Sequence, residues 1–350
     1  MVRRGSGVRV PSSALSRGAP PSEKLRGVRR FVAPFDRWQR RHAVGGFAVV
    51  VVKKFSEDRA SNLGALVAFY AFFSLFPLLL AFSSILGFVL DDNPGLRDDV
   101  LDTAVAQIPV IGQQVADEVD PLTGSGVALV VGLVGALWAT LGVTLALGHA
   151  FAEIWDVPRL NQPSGVMARV RGLLVFAVLA VTLIAATVVA GLAAGGGVDA
   201  AGQRMAAEVI SLGANAVAFL AVFALLTPRP WAVRDLLPGV AFAAVGGLAL
   251  QALGGWYVDR TIADASATYG TFALVIGLLS WFWLGSQMLL LAAEVNVVRR
   301  WRLWPRSLTG ELELADRVVL RRAAGATVAD RRERIVVDFD EHADPAVGPD

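Results

Sequence analysis

Three polar residues, Ser280, Gln287 and Glu294, recur at seven-residue intervals within an otherwise apolar stretch. On a helix that spacing stacks them on one face. Such a stripe turns toward other helices or water, because lipid offers polar groups no partner. A second set, Tyr70, Ser74, Pro77, Ala81 and Ser84, alternates four and three residues apart and also makes one face. His149 and Glu153, four apart, form a third pair. Tyr70, Ser74, His149, Glu153, Gln287 and Glu294 are therefore the candidate lining of a polar cavity. The chemistry open to it is binding of an anionic or polar solute, or proton relay through Glu294 and His149. The competing reading is interhelical hydrogen bonding at roughly 0.6 kcal/mol per contact. A Glu near a helix C-terminus opposes the macrodipole and calls for a cation, and Arg229 and Arg234 are the candidates.

Enzyme chemistry has little to draw on. There is no cysteine, and of three histidines His42 and His342 lie near the ends of the chain. His149 with Glu153 has metal-ligand spacing, but two ligands make a weak signal, so no metal is expected. Asp91, Asn93 and Gly95 lack the remaining ligand order of a calcium loop. Gly195–Gly197 has no lysine beside it and reads as a turn, and no nucleophile motif occurs. No catalytic residue and no cofactor is expected.

The positioning elements follow from hydropathy. The chain has 350 residues, 55% of them hydrophobic, with mean hydropathy +0.57. Six long apolar runs, at about 65–90, 127–152, 173–194, 209–227, 236–254 and 272–293, read as membrane spans, with Pro77 a kink in the first. The last is uncharged from Phe272 to Ala293, about 33 Å as a helix. The fold class is all-α, a polytopic membrane protein with six transmembrane helices. Of the 32 Lys and Arg, 29 fall in the two ends and in the connections after spans two and four. The positive-inside rule then puts the N and C termini in the cytoplasm, here of a bacterial plasma (inner) membrane. No cleavable signal peptide is evident, so span one is expected to serve as the insertion signal.

Residues 1–43 read as a disordered basic cytoplasmic tail, 44–304 as the membrane domain and 305–350 as a charged cytoplasmic tail with a short helix near 311–323. Val44–Val52 is apolar but too short to span, and is expected in the interface with Lys53 and Lys54 at its end. Between Arg26 and Arg41, basic residues interleave with Phe31, Phe35 and Trp38. Beside a span this favours anionic lipids of the bilayer over nucleic acid as the partner. The acidic connection 91–126 is expected to carry an amphipathic outer helix, and Gly239, Ala243 and Gly247 a close-packing ridge. A homo-oligomer is compatible with the sequence.

With the spans in place, the chain resembles the YihY/BrkB family of bacterial inner-membrane proteins. The similarity lies in Ala68-Phe69-Tyr70-Ala71-Phe72-Phe73-Ser74-Leu75-Phe76-Pro77, in Tyr269-Gly270, in Leu279-Ser280-Trp281 and in Ala293-Glu294-Val295-Asn296. The segment Thr227 to Gly239 is similar to that family's inner loop between spans four and five. The resemblance covers about 44–302 and implies six spans with cytoplasmic termini. It implies no mechanism. The ribonuclease label that some members carry lacks support here, because the densest carboxylates, Asp91, Asp92, Asp98, Asp99 and Asp102, fall on the expected outer face.

Two functional classes follow. The first is envelope transport or export of a small solute, ion or lipid-linked group. The second is a non-transporting scaffold presenting an acidic outer helix and basic inner tails.

Overall fold

The computed structural model describes residues 41–89, 126–194, 200–228, 232–257, 271–307 and 314–328, together with 34–36, 38–39, 335 and 337. The expected outer helix, Arg229, Gly195–Gly197, Tyr269-Gly270 and most of both tails lie outside them, as does the side chain of Ser84. Helices α1 (Ala43–Glu57), α2 (Ala60–Val89), α3 (Gly126–Ile154), α4 (Gly165–Ala194), α5 (Ala200–Leu226), α6 (Val233–Tyr257), α7 (Thr271–Trp301) and α8 (Leu314–Ala326) follow in order. No strand occurs among the described residues. Six helices, α2 to α7, are long and apolar enough to cross a membrane, so the fold is an all-α polytopic membrane fold. Each span agrees with its expected apolar run to within a few residues, except that α4 and α5 begin several residues earlier and α7 runs on to Trp301, eight residues past the expected end.

The chain divides into two compact units. The larger, residues 59–151 and 163–293, holds most of the spans. Its seams are made where glycine removes a side chain. A Cβ at Gly132 of α3 would lie 2.6 Å from the Ala81 backbone nitrogen of α2, at Gly135 2.9 Å from the Pro77 ring, and at Gly142 2.8 Å from the Tyr70 ring. The Tyr70–Pro77–Ala81 face therefore packs directly on a glycine face of α3. Gly172 of α4 meets Thr144 of α3, Arg171 of α4 donates to the Thr227 carbonyl at the end of α5 (3.4 Å), and Gly247 of α6 faces Phe219 of α5. Gly246 and Gly254 of α6 receive Met288 and Trp281 of α7.

The sixth span packs back on the first. Phe72 and Leu75 of α2 form a buried cluster with Leu278 of α7. Further along, the Ser286 hydroxyl donates to the Gly64 carbonyl (2.8 Å) and the Gln287 amide to the Ser61 carbonyl (3.1 Å). Side chains such as Trp138, Val134 and Val131 are left exposed, as suits helices whose solvent is lipid.

The smaller unit gathers α1, the turn after α3, the end of α7 and α8, within residues 1–58, 152–162 and 294–350. Its tail segment is folded rather than free. Arg306 is buried and forks onto both Glu57 oxygens (2.7 and 2.9 Å), while its Nε reaches Asp316 (2.7 Å). Lys53 joins by donating to the Ser307 carbonyl (2.6 Å) and to Asp316 (3.1 Å). Burial works against both Arg306 and Asp316, but pairing outweighs it. Glu57 and Asp316 raise Arg306 above its ordinary value, and Arg306, Lys53 and the Ser307 amide hold Asp316 below the usual carboxylate range.

Candidate functional site

The polar centre of the smaller unit begins with Lys54. It follows an apolar run on α1, and its ammonium is wholly buried. Nζ donates to the Ile154 carbonyl (3.0 Å), one of the last, unsatisfied carbonyls of α3. It also donates to Asp58 one turn along α1, and lies 3.7 Å from Glu294 Oε2 and 4.0 Å from Asp156 Oδ2. Three carboxylates from three separate segments thus surround one ammonium.

Local backbone geometry delivers two of them. Asp156 has φ 47°, and the Val157 N–H returns to the Ala152 carbonyl (2.9 Å), closing α3 with a left-handed terminal residue. Asp tolerates that conformation better than most residues, and the reversal turns its carboxylate back toward Lys54. Glu294 stays on α7, which continues for two further turns and closes the same way, with Arg302 at φ 51° and the Leu303 N–H on the Val298 carbonyl (3.1 Å). Next to these, Trp155 packs edge-on against Trp301, over whose ring the Arg322 guanidinium sits at 3.3 Å.

Charge does not balance within the quartet. Burial works against the Lys54 ammonium, but Glu294, Asp58 and Asp156 outweigh it and raise its pKa above the ordinary lysine value. Burial pushes Asp58 up despite Lys54, and pushes Asp156 up to about 6 against Lys54 and Arg322, with Asp58 and Glu153 adding to the rise. The Asp58 and Glu294 carboxyls share the Lys54 ammonium, Asp58 by a hydrogen bond and Glu294 at 3.7 Å, and a hydrogen bond between two carboxyls needs a proton on one of them. With both ionised, neither Glu294 oxygen has a donor among the described residues, and Asp156 Oδ2 has none there either.

A stability prediction follows from Asp156. Its folded pKa of about 6 lies above its unfolded value, so its contribution is present at acid pH and is lost as pH rises through about 6. Asp156→Asn keeps a residue suited to the left-handed backbone and leaves Lys54 two carboxylates. The variant is expected to raise the thermal midpoint by about 2–4 °C near pH 7.5 and to leave it unchanged near pH 4. Unfolding monitored by tryptophan fluorescence in detergent at the two pH values measures this.

The residues singled out from sequence divide between the units. In the larger, Tyr70 lies against Gly142 and is partly exposed, Ser74 is buried and donates back to the Ala71 carbonyl (2.7 Å), and Gln287 donates to Ser61. His149 is exposed there, as is Ser280 of the stripe. In the smaller, Glu153 is exposed and Glu294 wholly buried. Arg234 is exposed, and the cation beside Glu294 is Lys54. Lys54, expected at the lipid interface, is thus in the core of the smaller unit, because three buried carboxylates outbid headgroups for its charge. Its i,i+4 spacing to Asp58 was the available signal. Asp156, placed immediately beyond the last apolar turn of α3, carried none. Among the described residues no group of three or more His, Cys, Asp or Glu has the geometry to hold a metal ion.

Comparison with known proteins agrees with this architecture. The family described as "Virulence factor BrkB" matches residues 51–311, most of the chain and all six apolar helices. The chain belongs to the BrkB family. It is similar to the ribonuclease-like protein YfkH of Bacillus subtilis, 23% identical over 266 residues that cover 72% of this chain and 94% of the relative. It is also similar to the UPF0761 membrane protein Nmul_A0452 of Nitrosospira multiformis, 26% identical over 271 residues, 73% of this chain and 61% of that protein. No solved structure matches the chain. The match takes in Lys54, Asp58, Asp156 and Glu294 alike.

Proposed function

We propose that this BrkB-family membrane protein is an envelope transport or export protein, moving a small solute, ion or lipid-linked group across the bacterial inner membrane, with both termini cytoplasmic. The observation that carries this reading is the buried quartet at the end of the sixth span. Ionisable groups are costly there, and in membrane proteins they mark substrate and ion paths. The charge count supports the orientation, since it puts the quartet at the cytoplasmic edge. The exposed Phe35, Trp38 and Val44 beside Arg41 support contact of the N-terminal segment with anionic lipid. The reading is non-enzymatic. The ribonuclease-like name of one relative finds no nucleophile motif in this sequence to attach to.

Metabolite and lipid profiling of a deletion strain, with complementation, names the solutes to try. Flux of the responding solute into reconstituted vesicles is expected to fall about tenfold in Glu294→Gln, equivalent to ~1.4 kcal/mol on the barrier. Flux equal to that of protein-free vesicles for every solute so named sinks the proposal. The second reading, a scaffold, is favoured by the glycine seam, where α2 and α3 touch at the backbone. It predicts unchanged solutes in the deletion strain and a protein partner recovered through the tails.

A further inference from the structure

Lys54 lies among Asp58, Asp156 and Glu294, touching the first and lying 3.7 Å from Glu294 and 4.0 Å from Asp156. One ammonium neutralises one of three carboxylates. The other two remain in a buried space, where an unpaired carboxylate is strongly disfavoured. The groups around them do not close the difference. Glu57 on α1 is bound to Arg306, and Glu153 on α3 adds a further negative charge. Arg322 on α8 is the other cation that acts on Asp156, and it lies over the Trp301 ring. Lys54 therefore neutralises one of the three carboxylates, and a proton shared by two of them would halve the charge that remains.

We propose that the quartet is a proton-binding site, in which Asp58 and Glu294 share one proton, and that this proton is the ion coupled to transport. Only the last step rests on the transport reading above. In the loaded state a carboxylic O–H of one partner donates to a carboxylate oxygen of the other, with Lys54 compensating the charge that remains. On release the proton passes to water, leaving both carboxylates ionised beside Lys54 and Glu294 without a donor among the described residues. Exchange runs through Asp58, whose side chain is 12% exposed, while Glu294 is sealed. Asp156 sets the field, because its own charge disfavours emptying the pair. Buried carboxyls that share a proton are a recurring way to hold one at neutral pH.

Infrared pH-difference spectroscopy on the full-length protein in liposomes tests the site without any solute. The carbonyl stretch of a protonated carboxyl is separate from the carboxylate bands and moves in deuterated water. In the Asp156→Asn background, which removes the Asp156 carboxyl that itself titrates at about 6, the expected result is one such band that persists above the ordinary carboxylate range, assigned by separate isotope labelling of aspartate and glutamate. The band is lost in Glu294→Gln and again in Asp58→Asn, each of which leaves a single carboxyl of the pair beside Lys54. An Asp156→Asn protein with no such band overturns the proposal, as does a band that persists both when Glu294→Gln and when Asp58→Asn is added. Neither measurement depends on flux, so failure of transport leaves the site standing and failure of the site leaves transport to another ion.

Discussion

Lys54→Met is expected to destabilise the protein by about 3–5 kcal/mol near neutral pH. Methionine replaces the stem of the side chain, so packing changes little and the loss is electrostatic. Asp58, Asp156 and Glu294 would then face one another with no ammonium among them, and the last-turn carbonyl of Ile154 would lose its donor. Breaking a buried pair from one side is much more damaging than replacing the whole pair, because the remaining charge stays buried. Partial recovery is therefore expected when Asp156→Asn is added to Lys54→Met. Denaturant unfolding in mixed micelles, read by tryptophan fluorescence, measures both, and a Lys54→Met protein as stable as wild type would contradict the burial of this charge.

Gly132→Ala is expected to cost at the upper end of about 1–3 kcal/mol, the range for forcing volume into a packed interior. The added methyl meets the Ala81 backbone nitrogen at 2.6 Å, with the Ala81 Cα at 2.9 Å and the Leu80 carbonyl carbon at 3.0 Å. Backbone atoms have no other rotamer to adopt, so α2 and α3 must separate along the whole seam. Gly172→Ala is expected to cost as well, since its methyl would lie 2.9 Å from the Thr144 Cβ, which no side-chain rotation moves. Gly148→Ala on α3 is the control. Nothing lies within 4 Å of its Cβ, and alanine is favoured in helices by about 1 kcal/mol over glycine, so it should be neutral or stabilising. Equal behaviour of Gly132→Ala and Gly148→Ala would show that the close approach does not exist.

The spans were readable because each is a long run in which charge is nearly absent, a property that lipid imposes whatever the tertiary contacts. The Tyr70–Ser74–Pro77–Ala81 face was readable as a face, but not its role. Its partner is a set of glycines on α3, and an absent side chain gives a periodic search nothing polar to find. Gln287 and Glu294 share a stripe yet meet different environments, one against the start of α2 and the other beside Lys54. Helical periodicity fixes direction around an axis, and the neighbour at each depth is set by chains distant in sequence. Glu294 was recognised as needing a cation, on sound electrostatic grounds. Among the described residues the cation beside Glu294 comes from α1, and it was missed because Lys54 looked like an ordinary basic residue at the end of an interfacial helix. The short tail helix was foreseen, whereas the burial of Arg306 and Asp316 that fixes the tail to α1 was not. Charged residues read as solvated until their partners are known.

A double-mutant cycle between Lys54 and Glu294 is the most direct measurement of whether these two groups form one site. In the wild-type background Glu294→Gln removes a carboxylate that Lys54 helps compensate, and a small loss of stability or none is expected. In the Lys54→Met background the same change removes a buried, uncompensated charge and should stabilise, giving a coupling of at least about 1 kcal/mol. An effect of Glu294→Gln that is the same in both backgrounds would contradict the buried quartet.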